Sequence, residues 1–111
     1  MLINNESFQK TVIQFMDASG LSKDISETLL NDFCEYSLKL VASIRNHILD
    51  NNLKEASILL HSLKGSAGNI RATKIAKQAL VAEEAIKFPD KKLFESLLVR
   101  IEESLNALIE K

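Results

Sequence analysis

The chain is poor in the residues that punctuate structure or carry out chemistry alone. Its 111 residues include three glycines, one proline and one cysteine, and no tryptophan. A single cysteine, Cys34, excludes an internal disulfide and makes the cytoplasm the expected compartment. Its spacing from Phe33 and Ser37 suits a core thiol better than a nucleophile. There is no excess of one charge: the formal net charge is −1, which excludes the basic signature of a nucleic-acid binder. With 46% hydrophobic residues the composition is not that of a disordered tail either. No apolar run approaches a membrane span, and Asn4-Asn5-Glu6, so soon after the start, does not read as a signal peptide. The sequence also lacks a phosphate-cradling loop, a kinase-type glycine loop, any internal repeat and any low-complexity tract. These absences leave one soluble domain over residues 1–111. A chain of this length buries roughly 60–70% of its unfolded surface and needs no covalent staple.

What is present is helical periodicity. Asn4-Asn5-Glu6 can cap a first, accessory helix over about residues 5–19, with Phe8, Val12, Ile13, Phe15 and Met16 as apolar members, ended by Ser19-Gly20. A second helix is expected from near Asp24, whose spacing to Glu27 resembles a capping box. Its inward stripe reads Ile25, Leu29, Leu30, Phe33, Leu40, Val41, Ile44 and Ile48. Asp50-Asn51-Asn52 breaks it, and Asn52 with Glu55 can cap a third helix from Leu53 to about Ile70. So short a connection implies antiparallel neighbours. A fourth helix is expected over Thr73–Ile86, with Ile75, Ala76, Ala79, Leu80 and either Ala82 or Val81 inward. Phe88-Pro89-Asp90 ends it, since proline suits the first turn of a new helix and not the interior of an old one. The last helix runs from about Asp90 to Glu110 and presents Leu93, Leu97, Leu98, Ile101, Leu105, Leu108 and Ile109. No stretch alternates over strand length. The expected architecture is all-α: an antiparallel four-helix bundle over about residues 24–110, with the additional short N-terminal helix.

The stretch from Leu59 to Ile70 stands out. At about 100° per residue, Ala56, Leu59, Leu63, Ala67 and Ile70 form one apolar stripe. His61 falls roughly opposite its middle, beside Lys54, Ser57, Ile58, Lys64, Gly65 and Gly68. Each glycine costs a helix about 1 kcal/mol relative to alanine. Two on one outward face point to a surface that another molecule must approach closely. Gly68 is also near enough to the helix end to serve simply as a terminator. His47, one turn after Ile44, reads as a boundary residue with no metal or catalytic set around it.

The run His61-Ser62-Leu63-Lys64-Gly65-Ser66-Ala67-Gly68-Asn69-Ile70 resembles the signature of histidine-containing phosphotransfer (HPt) domains, the small helical carriers of phosphorelays. The likeness extends more loosely from about Leu29 to the C-terminus. Two residues depart from the pattern: Arg71, where the family often has glycine, and Leu60, where a small residue often precedes the histidine.

The resemblance implies that His61 is the phosphoacceptor of a two-component phosphorelay. The group would be carried reversibly between receiver-domain aspartates. Imidazole is a competent nucleophile near neutral pH, and an outward helical position gives a ring nitrogen a clear in-line approach. Phosphoryl transfer is governed by positioning and charge stabilisation. Lys64, on the same face, can meet the phosphoryl oxygens. Gly65 and Gly68 clear space for a partner that docks against Ser57, Ile58, Gly65, Gly68 and Arg71. Lys64, Lys54, Arg71, Lys74 and Lys77 would give a mildly basic surround for such a partner, although Lys54 and Lys77, taken singly, read better as solvated surface lysines. Glu83 occupies a position where the family often has a polar residue near the histidine, and is a candidate partner of the imidazole.

The implied protein is a phosphocarrier and not an enzyme in its own right. It has no cofactor or metal of its own, and Mg²⁺ is expected on the partner receiver domain. The expected partners are response-regulator receiver domains, a hybrid sensor histidine kinase, or both, with no nucleic acid and no membrane. The initiating methionine and the lack of a linker favour a free-standing monomer. The alternative is a helical adaptor module whose histidine is never phosphorylated. A dimerising histidine-kinase domain fits less well, because Ser62 stands where that family usually has an acidic residue. A metal-binding bundle would need inward Glu-x-x-His pairs, which the sequence lacks.

Overall fold

A computed structural model describes residues 5–88 and 90–109. Asn4, Pro89 and Glu110, invoked above as a cap, a helix start and a helix end, lie outside the described residues. The rest forms five α-helices: α1 (Glu6–Ser19), α2 (Lys23–Leu49), α3 (Leu53–Asn69), α4 (Thr73–Ala85) and α5 (Lys91–Ile109). No strand occurs among the described residues.

Short polar side chains start most of these helices by satisfying amide groups that have no intrahelical acceptor. Asn5 Oδ1 accepts from the Phe8 N–H at 3.1 Å, Asn52 Oδ1 from Glu55 at 3.4 Å and Asp90 Oδ1 from Leu93 at 3.0 Å. For α2 the expected Asp24–Glu27 box does not form. Ser22 is the N-cap, its Oγ accepting from the Ile25 N–H at 3.3 Å. Asp24 instead lies in the first turn, where a negative charge suits the helix dipole. Glu27 reaches across to α1 and accepts from Gln9 Nε2 at 3.0 Å.

Two helices end in the same geometry. After α2, Asn51 adopts φ 59°, and the Asn52 N–H donates to the His47 carbonyl at 2.8 Å. After α3, Arg71 adopts φ 67°, and the Ala72 N–H donates to the Ala67 carbonyl at 2.8 Å. These are Schellman closures, which favour glycine at the left-handed position. The departure at Arg71 therefore leaves the turn intact and places a β-carbon where it is disfavoured.

Helix α2 packs on α3, α3 on α4, α4 on α5, and α5 back on α2, while α1 lies against α2 and α5. On the outer side, Arg45 of α2 clamps two carboxylates of α5, with nitrogens 2.9 Å from Glu95 and 2.7 Å from Glu102. Phe8 and Val12 of α1 are buried in the common core, and Phe15 and Met16 pack against it, whereas Ile13 is exposed.

The azimuths of the helices differ from the expected stripes in a consistent way. On α2, Ile25 and Leu29 are exposed, and Ser26, Leu30, Cys34 and Ser37 face inward. On α3 Leu60 is fully buried and Leu59 only half-buried. On α4, Ile75, Ala79, Ala82 and Ala85 face the core, so Ala82 and not Val81 is inward, and Leu80 is exposed. On α5 Phe94 replaces Leu93. In each case two adjacent residues compete, both apolar except at Ile25 and Ser26, and only one can face the core because the other is about 100° away. Both α3 and α4 bury small residues, Ala56 and Ala67 on one and Ala79 and Ala82 on the other, and small buried residues suit the close packing of these two helices.

Arg71→Gly removes the β-carbon from a left-handed turn. It is expected to raise stability by roughly 0.5–1 kcal/mol, the penalty relieved less the extra freedom gained by the unfolded chain. Urea denaturation of the two proteins measures the difference; equal midpoints would show that the Arg71 side chain compensates for its backbone.

Candidate functional site

Burial of Ala56, Leu60, Leu63 and Ala67 fixes the roll of α3. Because Leu60 rather than Leu59 is fully inward, the buried face turns towards α4. His61 then stands on the outer surface near the α3–α4 seam, with its side chain 71% exposed. Lys64, three residues on, occupies the same flank and is half-buried. Across the seam, Glu83 of α4 lies between them. Its Oε2 is 3.2 Å from His61 Nδ1, and its Oε1 accepts from Lys64 Nζ at 2.8 Å.

This bridge determines the chemistry of the ring. The hydrogen bond from Lys64 holds the Glu83 carboxyl below its ordinary range, against the opposing effect of its partial burial, and the lysine charge and His61 act in the same direction as the hydrogen bond. An ionised carboxylate only accepts hydrogen bonds. The short Nδ1–Glu83 contact therefore requires the proton on Nδ1, which leaves the lone pair of the neutral ring on Nε2. That tautomer follows from the hydrogen-bond partners and not from an observed hydrogen. A side chain so exposed presents Nε2 to solvent.

The residues expected around the histidine are distributed as follows. Gly65 and Gly68 are exposed on α3, and a β-carbon built at either meets nothing within 4 Å. The protein's own packing thus has no need of glycine at these two places. Ile58 is 52% exposed and Ser57 half-buried, both lining an open groove with His61 and Glu83. Lys54 lines the same groove, and Lys74 and Lys77 are exposed on α4. Arg71 is exposed just past the end of α3. His47 is half-buried on α2, and its carbonyl serves the α2 closure described above. Cys34 is buried, and burial pushes its thiol up to about 12, which fits a core residue.

Among the described residues no group of three or more histidine, cysteine, aspartate or glutamate side chains is placed to hold a metal ion. No described helix is long and apolar enough to cross a membrane.

The sequence pattern, the all-helical fold and the outward histidine can be set against known proteins. The model of the Hpt domain family matches residues 28–111, well over half of the chain. The chain belongs to the Hpt domain family. No curated protein and no solved structure matches it. Hpt domains are helical phosphocarriers that work with receiver domains in phosphorelays. The matched span of this Hpt domain begins within α2 and leaves out α1.

Periodicity alone misses two features of the surface. One is the inward turn of Leu60, which brings the histidine to the α4 seam. The other is an exposed apolar stripe on α2, Ile25, Leu29 and Tyr36, whose i, i+4, i+11 spacing is visible but equally suits a core face.

The bridge has a pH signature. Glu83 titrates lower in the folded protein than in the unfolded chain, so its contribution to stability is complete above the unfolded carboxylate range. That contribution disappears as pH falls through the folded value. Wild type should therefore exceed Glu83→Gln in urea stability at neutral pH, with the gap closing in acid. A gap that does not change with pH would show that charge at Glu83 is not its source.

Proposed function

We propose that this Hpt domain carries a phosphoryl group on Nε2 of His61, exchanging it reversibly with the aspartates of receiver domains. The observation that carries the reading is the Glu83 bridge, which commits the proton to Nδ1 and leaves Nε2 as the nucleophile on an unobstructed helix face. In the forward step the P–O bond of a receiver's aspartyl phosphate breaks as a P–Nε2 bond forms. The aspartate leaves as a carboxylate, and the Nδ1 proton stays on the ring, hydrogen-bonded to Glu83. Lys64 needs only to exchange Glu83 for a phosphoryl oxygen to stabilise the transferred group.

The chain supplies the acceptor, its orientation and a bare surface. The acidic pocket and its Mg²⁺ are assigned to the partner receiver domain, so this protein is a substrate and carrier rather than a catalyst by itself. We assign it to the cytoplasm as a monomer, with receiver domains, a hybrid sensor kinase, or both as partners.

The ring α2–α5 is read as an antiparallel four-helix bundle with α1 added, supported by connections of three, three and five residues between successive helices. In that arrangement α2, with 27 residues to the 17 of α3, projects past the end of α3. Glu27 and Arg45 mark the flank of α2 that faces α1 and α5. Ile25, Leu29 and Tyr36 lie about half a turn round from it, on the flank towards α3. They extend the landing surface of Gly65 and Gly68 with apolar area.

His61→Gln should keep its helical circular dichroism and lose acid-labile label when incubated with phosphorylated receiver domains that label wild type. Undiminished labelling would overturn the assignment. Gly65→Leu should behave in the opposite way on its two readouts. Its unfolding midpoint should rise, because leucine is the better helix former by about 0.8 kcal/mol, and a β-carbon at this exposed position meets nothing within 4 Å. Its transfer rate should fall by about tenfold or more as bulk enters the docking face; an unchanged rate would remove the clearance argument.

A further inference from the structure

The groove beside His61 does not stop at the histidine. Leu53 and Ile86 line its far end, and the same two residues form a wall of a second hollow, which also takes in Ile48 and Phe94 and is edged by Phe88. The two depressions make one apolar track from the imidazole to the end of the bundle where α2 turns into α3 and α4 into α5. Phe88 is 67% exposed at its margin. Lys54 lines the near part of the track and Lys91 the far part, with Lys87 exposed between Ile86 and Phe88. On the acidic side, Glu83 is engaged by Lys64 and His61, and Asp90 caps α5. Three lysines against two carboxylates, one of them already paired, leave the rim modestly basic over an apolar floor.

We infer that this track seats an apolar side chain, flanked by carboxylates, of the receiver domain that docks at His61. The inference rests on the reading of His61 as phosphoacceptor, and it adds where the partner gains its grip. A standard interface covers about 800 Å² on each partner, a patch reaching roughly 16 Å from its centre. Leu53 precedes His61 by eight residues, about 12 Å along α3, so a domain whose aspartate reaches the imidazole also reaches the wall at which the two hollows meet. On the other side of His61 the glycines offer bare backbone, which permits approach without providing a pocket. Affinity concentrates where a large apolar side chain fills a concave site, and the hollow walled by Leu53 and Ile86 is such a depression, apolar and open to a partner. The basic rim complements a partner whose own site is acidic.

Receiver domains charged with acetyl phosphate serve as the probe. For each domain that labels wild type, the initial rate of labelling is measured against receiver concentration. Phe88→Asp should raise the half-saturating concentration roughly tenfold, with the effect falling on that concentration more than on the rate at saturation. Phe88→Leu should stay close to wild type. Lys54→Glu should raise the half-saturating concentration severalfold at low salt and less at high salt. Both charge-altering positions are exposed, and circular dichroism checks that the variants remain folded. Unchanged half-saturation in Phe88→Asp and Lys54→Glu would overturn the track while leaving the role of His61 standing. A Phe88→Asp variant that alters sedimentation but not half-saturation would assign the track to a second copy of this chain and overturn the inference. Failure of every receiver domain to label wild type would overturn both readings.

Discussion

The roll of α3 about its own axis controls the site. Four buried side chains set it, Ala56, Leu60, Leu63 and Ala67, none of which touches a substrate. With Leu60 inward, His61 and Lys64 fall on the flank nearest α4, where Glu83 meets both. Rolling the helix by one residue to bury Leu59 in its place would carry that flank about 100° round, away from the carboxylate. The core packing of α3 is thus the first cause of the ring's tautomer.

Glycine is used here in a way that separates backbone need from surface need. Gly20 ends α1 at φ 76°, an ordinary assignment. The left-handed turns after α2 and α3 are made by Asn51 and Arg71. Meanwhile Gly65 and Gly68 occupy exposed helical positions where a β-carbon would meet nothing within 4 Å. If helix stability alone had shaped α3, alanine would serve better at both, by about 1 kcal/mol each. On the reading proposed for His61, the two glycines make sense as clearance for a body outside the chain.

Helix order, the caps at Asn5 and Asn52, the burial of Cys34 and the outward placement of His61 could all be read from residue types and spacing. Those features depend on one helix at a time. What could not be read depends on two. Ile25 against Ser26, Leu59 against Leu60 and Leu93 against Phe94 are adjacent pairs in which the more hydrophobic pattern does not identify the inward member. The neighbouring helix decides, through how closely it approaches. A serine or alanine at a contact is buried because it is small, and a transfer scale gives it little weight. The engagement of Lys64 was hidden for the same reason. Spacing placed it beside His61, but only the position of α4 shows its ammonium on Glu83.

That engagement resolves a conflict within the site. A carboxylate against the imidazole is useful because it fixes the proton on Nδ1, yet an unpaired negative charge would oppose the arrival of an anionic phosphoryl group. Lys64 neutralises Glu83 on the oxygen that the histidine does not use. The pair as a whole carries no net charge, so the orienting hydrogen bond is kept without a repulsive field at Nε2. In the transfer proposed above, a phosphoryl group on Nε2 would give the lysine two anionic acceptors, with the ring proton remaining under the carboxylate. One acidic residue shared between His61 and Lys64 therefore does what a lone carboxylate could not: it orients the imidazole without adding net charge beside Nε2.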